Sequence, residues 1–99
     1  MTRIVLHEMI ETEDRFETGA AVGQIFIEGE SPRVQAATAE LAEKVEAVLA
    51  APLMLRGAVP GLMATVARPV TWKDGEDFVV ALTERLRKPD LRLECRRAD

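Results

Sequence analysis

The stretch from Ser31 to Pro52, SPRVQAATAELAEKVEAVLAAP, decides the fold class because it carries the clearest helical period in the chain. Its apolar side chains recur every three or four residues and would form one stripe on a helix: Val34, Ala37, Leu41, Val45 and Val48. Serine is a favourable N-cap, and proline at the first helical position loses no hydrogen bond. We therefore predict a helix that begins just after Ser31 and ends before Pro52.

A second helix is predicted from about Gly75 to Lys88. Its apolar stripe consists of Phe78, Val79, Leu82 and Leu86. Basic residues fill its last turn, where they favour the negative end of the helix dipole. Pro89 follows and ends the helix.

Residues 71–78, TWKDGEDF, lie at the start of this helix and place three carboxylates in four positions. A calcium loop of the EF-hand type needs alternating oxygen ligands before its glycine and a glutamate six residues after it, and neither is present. A helix start accounts for all three acids: Asp74 as the N-cap, Glu76 in the first turn and Asp77 as the capping-box partner. We therefore interpret this stretch as a helix cap, with Trp72 anchoring the connection.

The rest of the chain carries short apolar or alternating runs that are typical of strands. They cover residues 3–10, 22–28, 53–56, 62–68 and 91–97. The acidic residues 11–19 predict an exposed loop or a long hairpin tip. Glycine and proline in residues 57–61 predict the turn of a second hairpin.

The resulting order is β-β-α-β-β-α-β. Without its first strand this is β-α-β-β-α-β, the order of ferredoxin-like folds. We therefore predict an α+β fold: a ferredoxin-like antiparallel sheet with two helices on one face and an extra N-terminal strand. The alternative is a curved sheet whose extra strand pairs with a neighbouring subunit. A chain of 99 residues predicts a single domain, residues 1–99.

Composition narrows the classes of function. The chain is 47% apolar and 30% charged, which is typical of soluble globular proteins. Its net charge of −4 argues against nucleic-acid binding, since phosphate recognition needs a basic surface. A weaker alternative is a local basic site at Arg92, Arg96 and Arg97. We find no membrane span and no signal peptide, and the single cysteine fits a reducing compartment, so we predict a cytoplasmic protein.

The amide content suggests one further property. Asparagine is absent and there are only two glutamines, while Glu and Arg are abundant. Heat-adapted proteins show this bias. A GC-rich genome would produce similar codon usage, so the composition leaves thermophily open.

The two faces of the predicted strands differ in character. One set is almost purely apolar and is expected to meet the helices: Ile25, Ile27, Leu53, Leu55, Leu62, Val66, Leu91 and Leu93. The opposite set mixes apolar with charged residues: Phe26, Met54, Met63, Arg56 and Arg92. Apolar area rimmed by charge indicates a contact surface, and methionine makes such a surface adaptable. We predict a non-catalytic module that forms a homodimer or binds another protein through this open sheet face. The alternatives are that a loop or the first strand covers this face within the monomer, or that the face forms a small-ligand groove.

Enzymatic chemistry has little support in the sequence. The only histidine, His7, could line a pocket with Arg56 and Arg68 in a small enzyme or ligand-binding domain, but no nucleophile can be assigned to it. Cys95 fits a buried thiol, although the nearby arginines could lower its pKa. These two residues are too few for a structural zinc site, so we predict no metal and no cofactor.

Overall fold

The computed structural model describes residues 2–29, 31–58, 61 and 64–98, and it confirms the α+β class. A four-stranded antiparallel sheet, a two-stranded sheet and two α-helices make up the fold. In chain order the elements are β1 (Thr2–Glu11), β2 (Phe16–Glu28), β3 (Ser31–Ala36), α1 (Ala39–Leu49), β4 (Leu53–Ala58), β5 (Thr65–Val70), a short 3-10 helix (Trp72–Asp74), α2 (Glu76–Leu86) and β6 (Leu93–Arg97).

The four-stranded sheet has the order β3-β2-β1-β6. The first strand, β1, pairs with β2 along its whole length and with β6 from Ile4 to Glu8. It is therefore a central strand within its own chain, and the alternative in which it pairs with a neighbouring subunit does not apply. The pairing with β2 shifts register on both sides of His7, which is the signature of β-bulges.

The strands β4 and β5 pair only with each other among the described residues, and we call this two-stranded sheet the arm. Its register is regular from Leu53 opposite Val70 to Ala58 opposite Thr65. The ferredoxin-like order would place these strands in the main sheet. They form a separate sheet because β1 occupies the position beside β2, and β6 occupies the other side of β1.

One core joins both helices, the main sheet and the base of the arm. The main sheet contributes Ile4, Leu6, Ile25 and Leu93; α1 contributes Val45; the arm contributes Leu53 and Val70; α2 contributes Phe78, Ala81, Leu82 and Leu86. The side of β1 that faces the helices carries Ile4 and Leu6, which are the buried residues of this strand. Each large side chain buried in this way contributes roughly 1.5–3 kcal/mol of transfer free energy.

The predicted start of the first helix is wrong. Residues 31–36 form β3, and α1 begins at Ala39 with Thr38 as its N-cap. The Thr38 hydroxyl accepts a hydrogen bond from the backbone N–H of Leu41 at 3.1 Å. Pro32 pairs opposite Ile27 on an edge strand, a position where its missing N–H is tolerated.

The cap of the second helix is also assigned differently by the structure. Thr71 caps the 3-10 helix, and the Asp74 carboxylate accepts a hydrogen bond from the Thr71 N–H at 2.7 Å. Gly75 then turns the chain with φ 61° and ψ −123°, and α2 starts at Glu76 without a side-chain cap. Glu76 forms an ion pair with Arg97, and Asp77 forms one with Arg68. All three acids of the stretch therefore have partners within the fold.

Two strand boundaries also differ from the predictions. The acidic segment is mostly paired, and the loop shrinks to a turn in which the Thr12 N–H donates to the Arg15 carbonyl at 2.8 Å. The long hairpin tip is thus the correct alternative. The fifth strand begins at Thr65, and Val66 is 50% exposed rather than inward-facing. Leu62 lies outside the described residues.

Candidate functional site

Phe26 lies on the outer face of the main sheet, where its own chain partly covers it. It pairs with Arg3 on β1 and with Arg33 on β3. The Arg33 guanidinium stacks over the Phe26 ring at 5.1 Å from its centroid, a cation–π contact. The ring is only partly exposed, and it is less available to a partner than the sequence suggested.

The structure does not bring the predicted contact residues into one patch. Met54 lies on the arm and Phe26 on the main sheet. Arg92 precedes β6, and its guanidinium stacks over the Phe16 ring at 5.1 Å from the centroid. This contact involves neither Met54 nor Phe26. Met63 lies outside the described residues. Of the predicted set, Met54 and Arg56 remain together, two residues apart on one face of β4.

The arm is exposed beyond its base. Leu53 and Val70 at the base are buried in the core, whereas the side chains beyond them are mostly open to solvent. Met54 is 53% exposed, because it follows the buried Leu53 on the strand and its side chain points to the opposite face. An exposed large apolar side chain beside the charged Arg56 indicates a surface that a partner covers.

A groove of about 570 Å³ adjoins the arm. Its walls come from α1, the following turn, β4 and α2, and its lining consists of Ala47, Val48, Ala51, Pro52, Leu53, Met54, Arg56, Ala81, Glu84, Arg85 and Lys88. Small alanines on both helices leave the space open. The sequence signal was the alanine-rich composition of α1, but nothing in the sequence places α2 opposite it.

The charges of this groove are only partly neutralised. Arg85 donates two hydrogen bonds of 3.1 Å to the Asp90 carboxylate. These bonds hold the pKa of Asp90 below its usual value. Arg56, Glu84 and Lys88 form no ion pair with any described residue. A partner that carries both an acidic and a basic group could therefore form ion pairs with these residues. We call Met54, Arg56 and this groove the interaction surface.

The exposed edges of the two sheets are protected to different degrees. Edge strands invite pairing with another chain unless proline or charge prevents it. The edge strand β3 contains Pro32, and β5 contains Pro69; β6 carries three charges in five residues. The sequence of β4, LMLRGA, contains no proline and one charge. Among the described strands, β4 has the least protected edge.

His7 belongs to a different place in the molecule. It lies on the main sheet opposite Glu94, and its Nδ1 lies 3.1 Å from the Gly19 carbonyl oxygen. Since a carbonyl only accepts, Nδ1 carries the proton in this contact. Arg56 and Arg68 lie on the arm, and Arg68 is paired with Asp77. The alternative pocket is thus divided between two sheets.

A polar cluster of Thr18, Glu94 and Arg96 lies beside His7, and the sequence did not predict it. The Thr18 hydroxyl donates to Glu94 Oε2 at 2.7 Å, and Arg96 donates to the Thr18 oxygen at 3.2 Å. The Thr18 bond, followed by the charges of Arg87 and Arg96, lowers the pKa of Glu94. The alternation of β6 was the available signal, but the register that brings Thr18 within reach is a long-range property. The cluster satisfies its own polar groups, which is typical of a structural network.

Cys95 is half-buried and packs against the core, on the apolar side of β6 that the sequence predicted. Burial raises the pKa of its thiol to about 12, and this outweighs the lowering effect of Arg87. The alternative of a reactive thiolate is therefore wrong.

Comparison with known proteins gives no functional lead. No family model matches the chain, and no curated protein or solved structure matches it. Over the part of the chain that the structure describes, neither helix is long and apolar enough to cross a bilayer. The same residues contain no cluster of three or more His, Cys, Asp or Glu side chains suited to a metal ion. The interaction surface is the feature that remains to be explained.

Proposed function

We propose that the protein is a non-catalytic self-association module that forms a homodimer through the interaction surface. The observation that carries this proposal is the exposure of Met54 on the arm, beside an open groove. A two-stranded hairpin is marginally stable in water, and it gains stability when it packs against more protein. Association would remove this apolar area from water.

The accessible surface of the chain exceeds that of a compact monomer of its mass, which supports a surface that a partner covers. The folded chain exposes 6540 Å². A compact monomer of its 10.9 kDa mass exposes about 5,600 Å² by the usual scaling of surface with mass. The excess of roughly 1,000 Å² is close to the ~800 Å² per partner that a standard interface buries.

The overall shape agrees with this excess. The radius of gyration is 14.3 Å, whereas a compact domain of 100 residues has about 13 Å. A second copy seated on the interaction surface would fill the space between the arm and the helices, and most oligomers of soluble proteins are symmetric homodimers.

The test is the mass of the protein in solution, measured by light scattering after gel filtration. We expect the wild-type chain to be a dimer and Met54→Glu to be a monomer, because a buried unpaired carboxylate opposes association. The matched control is Val80→Glu on α2, which adds the same charge at a side chain that is also 53% exposed but lies outside the interaction surface.

The control variant is expected to remain a dimer. A monomeric wild-type chain at all accessible concentrations would contradict the proposal. Equal loss of association in both variants would also contradict it, because the effect would then come from added charge rather than from the surface.

A further inference from the structure

We infer that two copies join through their β4 strands, which pair antiparallel about a two-fold axis and turn the two arms into one four-stranded sheet with the order β5-β4-β4-β5. This inference rests on the proposed homodimer and names the contact that forms it. It differs from side-chain packing alone, because the bonds between the copies would be backbone hydrogen bonds.

The choice of β4 follows from the protection of the edges. Proline lacks an N–H and interrupts pairing on β3 and β5, and the charges of β6 oppose the approach of another strand. The six residues of β4 include only Arg56 as a charged residue. Since β4 pairs on one side with β5 alone among the described residues, its other edge is free.

The register of the arm indicates which backbone groups lie on that edge. Met54 pairs with Pro69, and Arg56 pairs with Ala67. Proline is accommodated in a strand where its nitrogen faces away from the ladder. Antiparallel pairs alternate between hydrogen-bonded and non-hydrogen-bonded positions, so both of these pairs are non-hydrogen-bonded. The N–H and C=O groups of Met54 and Arg56 therefore point away from β5.

The occupant of this edge is a second copy rather than an unrelated peptide. An antiparallel pair of identical strands satisfies two-fold symmetry, so one unprotected edge is enough to close a dimer. The excess accessible surface is close to the area that each copy would bury in a standard interface. The groove also offers charges of both signs, Arg56 and Glu84, that form no ion pair among the described residues. A two-fold interface that includes the groove presents both charges to both copies.

Proline substitutions distinguish this pairing from other modes of dimerisation. Arg56→Pro removes an outward N–H from the β4 edge and leaves the ladder to β5 intact. Ala67→Pro makes the same change in the same cross-strand pair but on β5, the outer edge of the combined sheet. Arg56→Ala removes the guanidinium and keeps the N–H. We expect only Arg56→Pro to give a monomer in light scattering, with unchanged far-UV circular dichroism for all three.

The amide protons of the wild-type chain supply a second measurement that needs no proline. The N–H groups of Met54 and Arg56 are expected to exchange slowly with deuterium in the dimer, and to exchange rapidly in Met54→Glu. The N–H of Ala67 is expected to exchange rapidly in both. Rapid exchange at Met54 and Arg56 in a wild-type dimer would overturn the strand pairing.

The outcomes separate this inference from the proposed function. A wild-type dimer that persists in Arg56→Pro overturns the β4 pairing and leaves the homodimer standing. Loss of association in both Arg56→Pro and Arg56→Ala assigns the contact to the guanidinium and also overturns the pairing. A monomeric wild-type chain overturns the proposed function and the pairing together.

Discussion

The Cys95 thiol is the clearest case of a side chain whose chemistry is decided by its surroundings. It pairs opposite the buried Leu6 and faces the core, where a thiolate would lose its hydration. With a pKa of about 12, roughly one native molecule in ten thousand carries a thiolate at pH 8. Nucleophilic or redox chemistry at this residue is therefore suppressed by the fold.

The same burial predicts a loss of stability in alkaline solution. The free thiol has a pKa of 9.0, and the folded one about 12. Between these values the unfolded chain releases the proton and the native chain keeps it, so this contribution is present below about pH 9 and declines as the pH rises towards 12. Urea unfolding at pH 8 and pH 10.5 should show a smaller decline in the free energy of unfolding for Cys95→Ala than for the wild-type chain.

An equal decline in both proteins would show that the thiol titrates normally in the native state. The chain suits this measurement because it contains no tyrosine, and its lysines are only three. Contributions that the two proteins share cancel in the comparison.

The first helix shows how far local pattern decides an element. Its second half was predicted correctly, and Val45 is buried as the apolar stripe requires. The start was wrong because residues 31–36 fit two periods: in the strand, Pro32, Val34 and Ala36 are half-buried and alternate with exposed residues. The pairing of β3 with β2 decides between them, and it depends on a turn at Gly29, whose φ is 69°. A local sequence pattern carries no information on this pairing between strands.

The start of α2 depends on the backbone of one glycine. Gly75 has φ 61° and ψ −123°, a region that side chains with a Cβ rarely enter. A Cβ there would meet no atom of the described residues within 4 Å, so strain sets the effect of a substitution. Gly75→Ala should lower the free energy of unfolding by about 1–3 kcal/mol in urea titrations.

Gly57 on β4 is the matched control, because a Cβ there also meets no atom of the described residues within 4 Å and its φ is not positive. Gly57→Ala is expected to change stability little or to raise it slightly, since alanine restricts the unfolded chain. Similar losses in the two variants would mean that Gly75 carries no special strain.

At the scale of the whole molecule, the sequence predicted the class of fold better than the arrangement of its surfaces. Alternation identified Met54 and Phe26 as residues that face away from the core, and neither is fully buried. Their assignment to one patch assumed one sheet. Which strands share a sheet is decided by long-range pairing: β1 fills the central position and leaves the arm as a separate sheet. The groove likewise forms only where α1 and α2 lie side by side, and no short sequence motif predicts that placement.

A dimer of this kind links folding to concentration. If the arm is stabilised by the second copy, dilution favours dissociation and then unfolding, so the urea midpoint should rise with protein concentration. For two-state unfolding of a dimer, a tenfold increase in concentration stabilises the native state by about 1.4 kcal/mol. Met54→Glu should abolish this dependence, because the variant is expected to be monomeric at every concentration. Val80→Glu should retain it, since its added charge lies outside the interaction surface. A midpoint for the wild-type chain that stays constant over roughly a hundredfold range of concentration would contradict the proposed dimer, because association that stabilises the fold makes the midpoint depend on concentration.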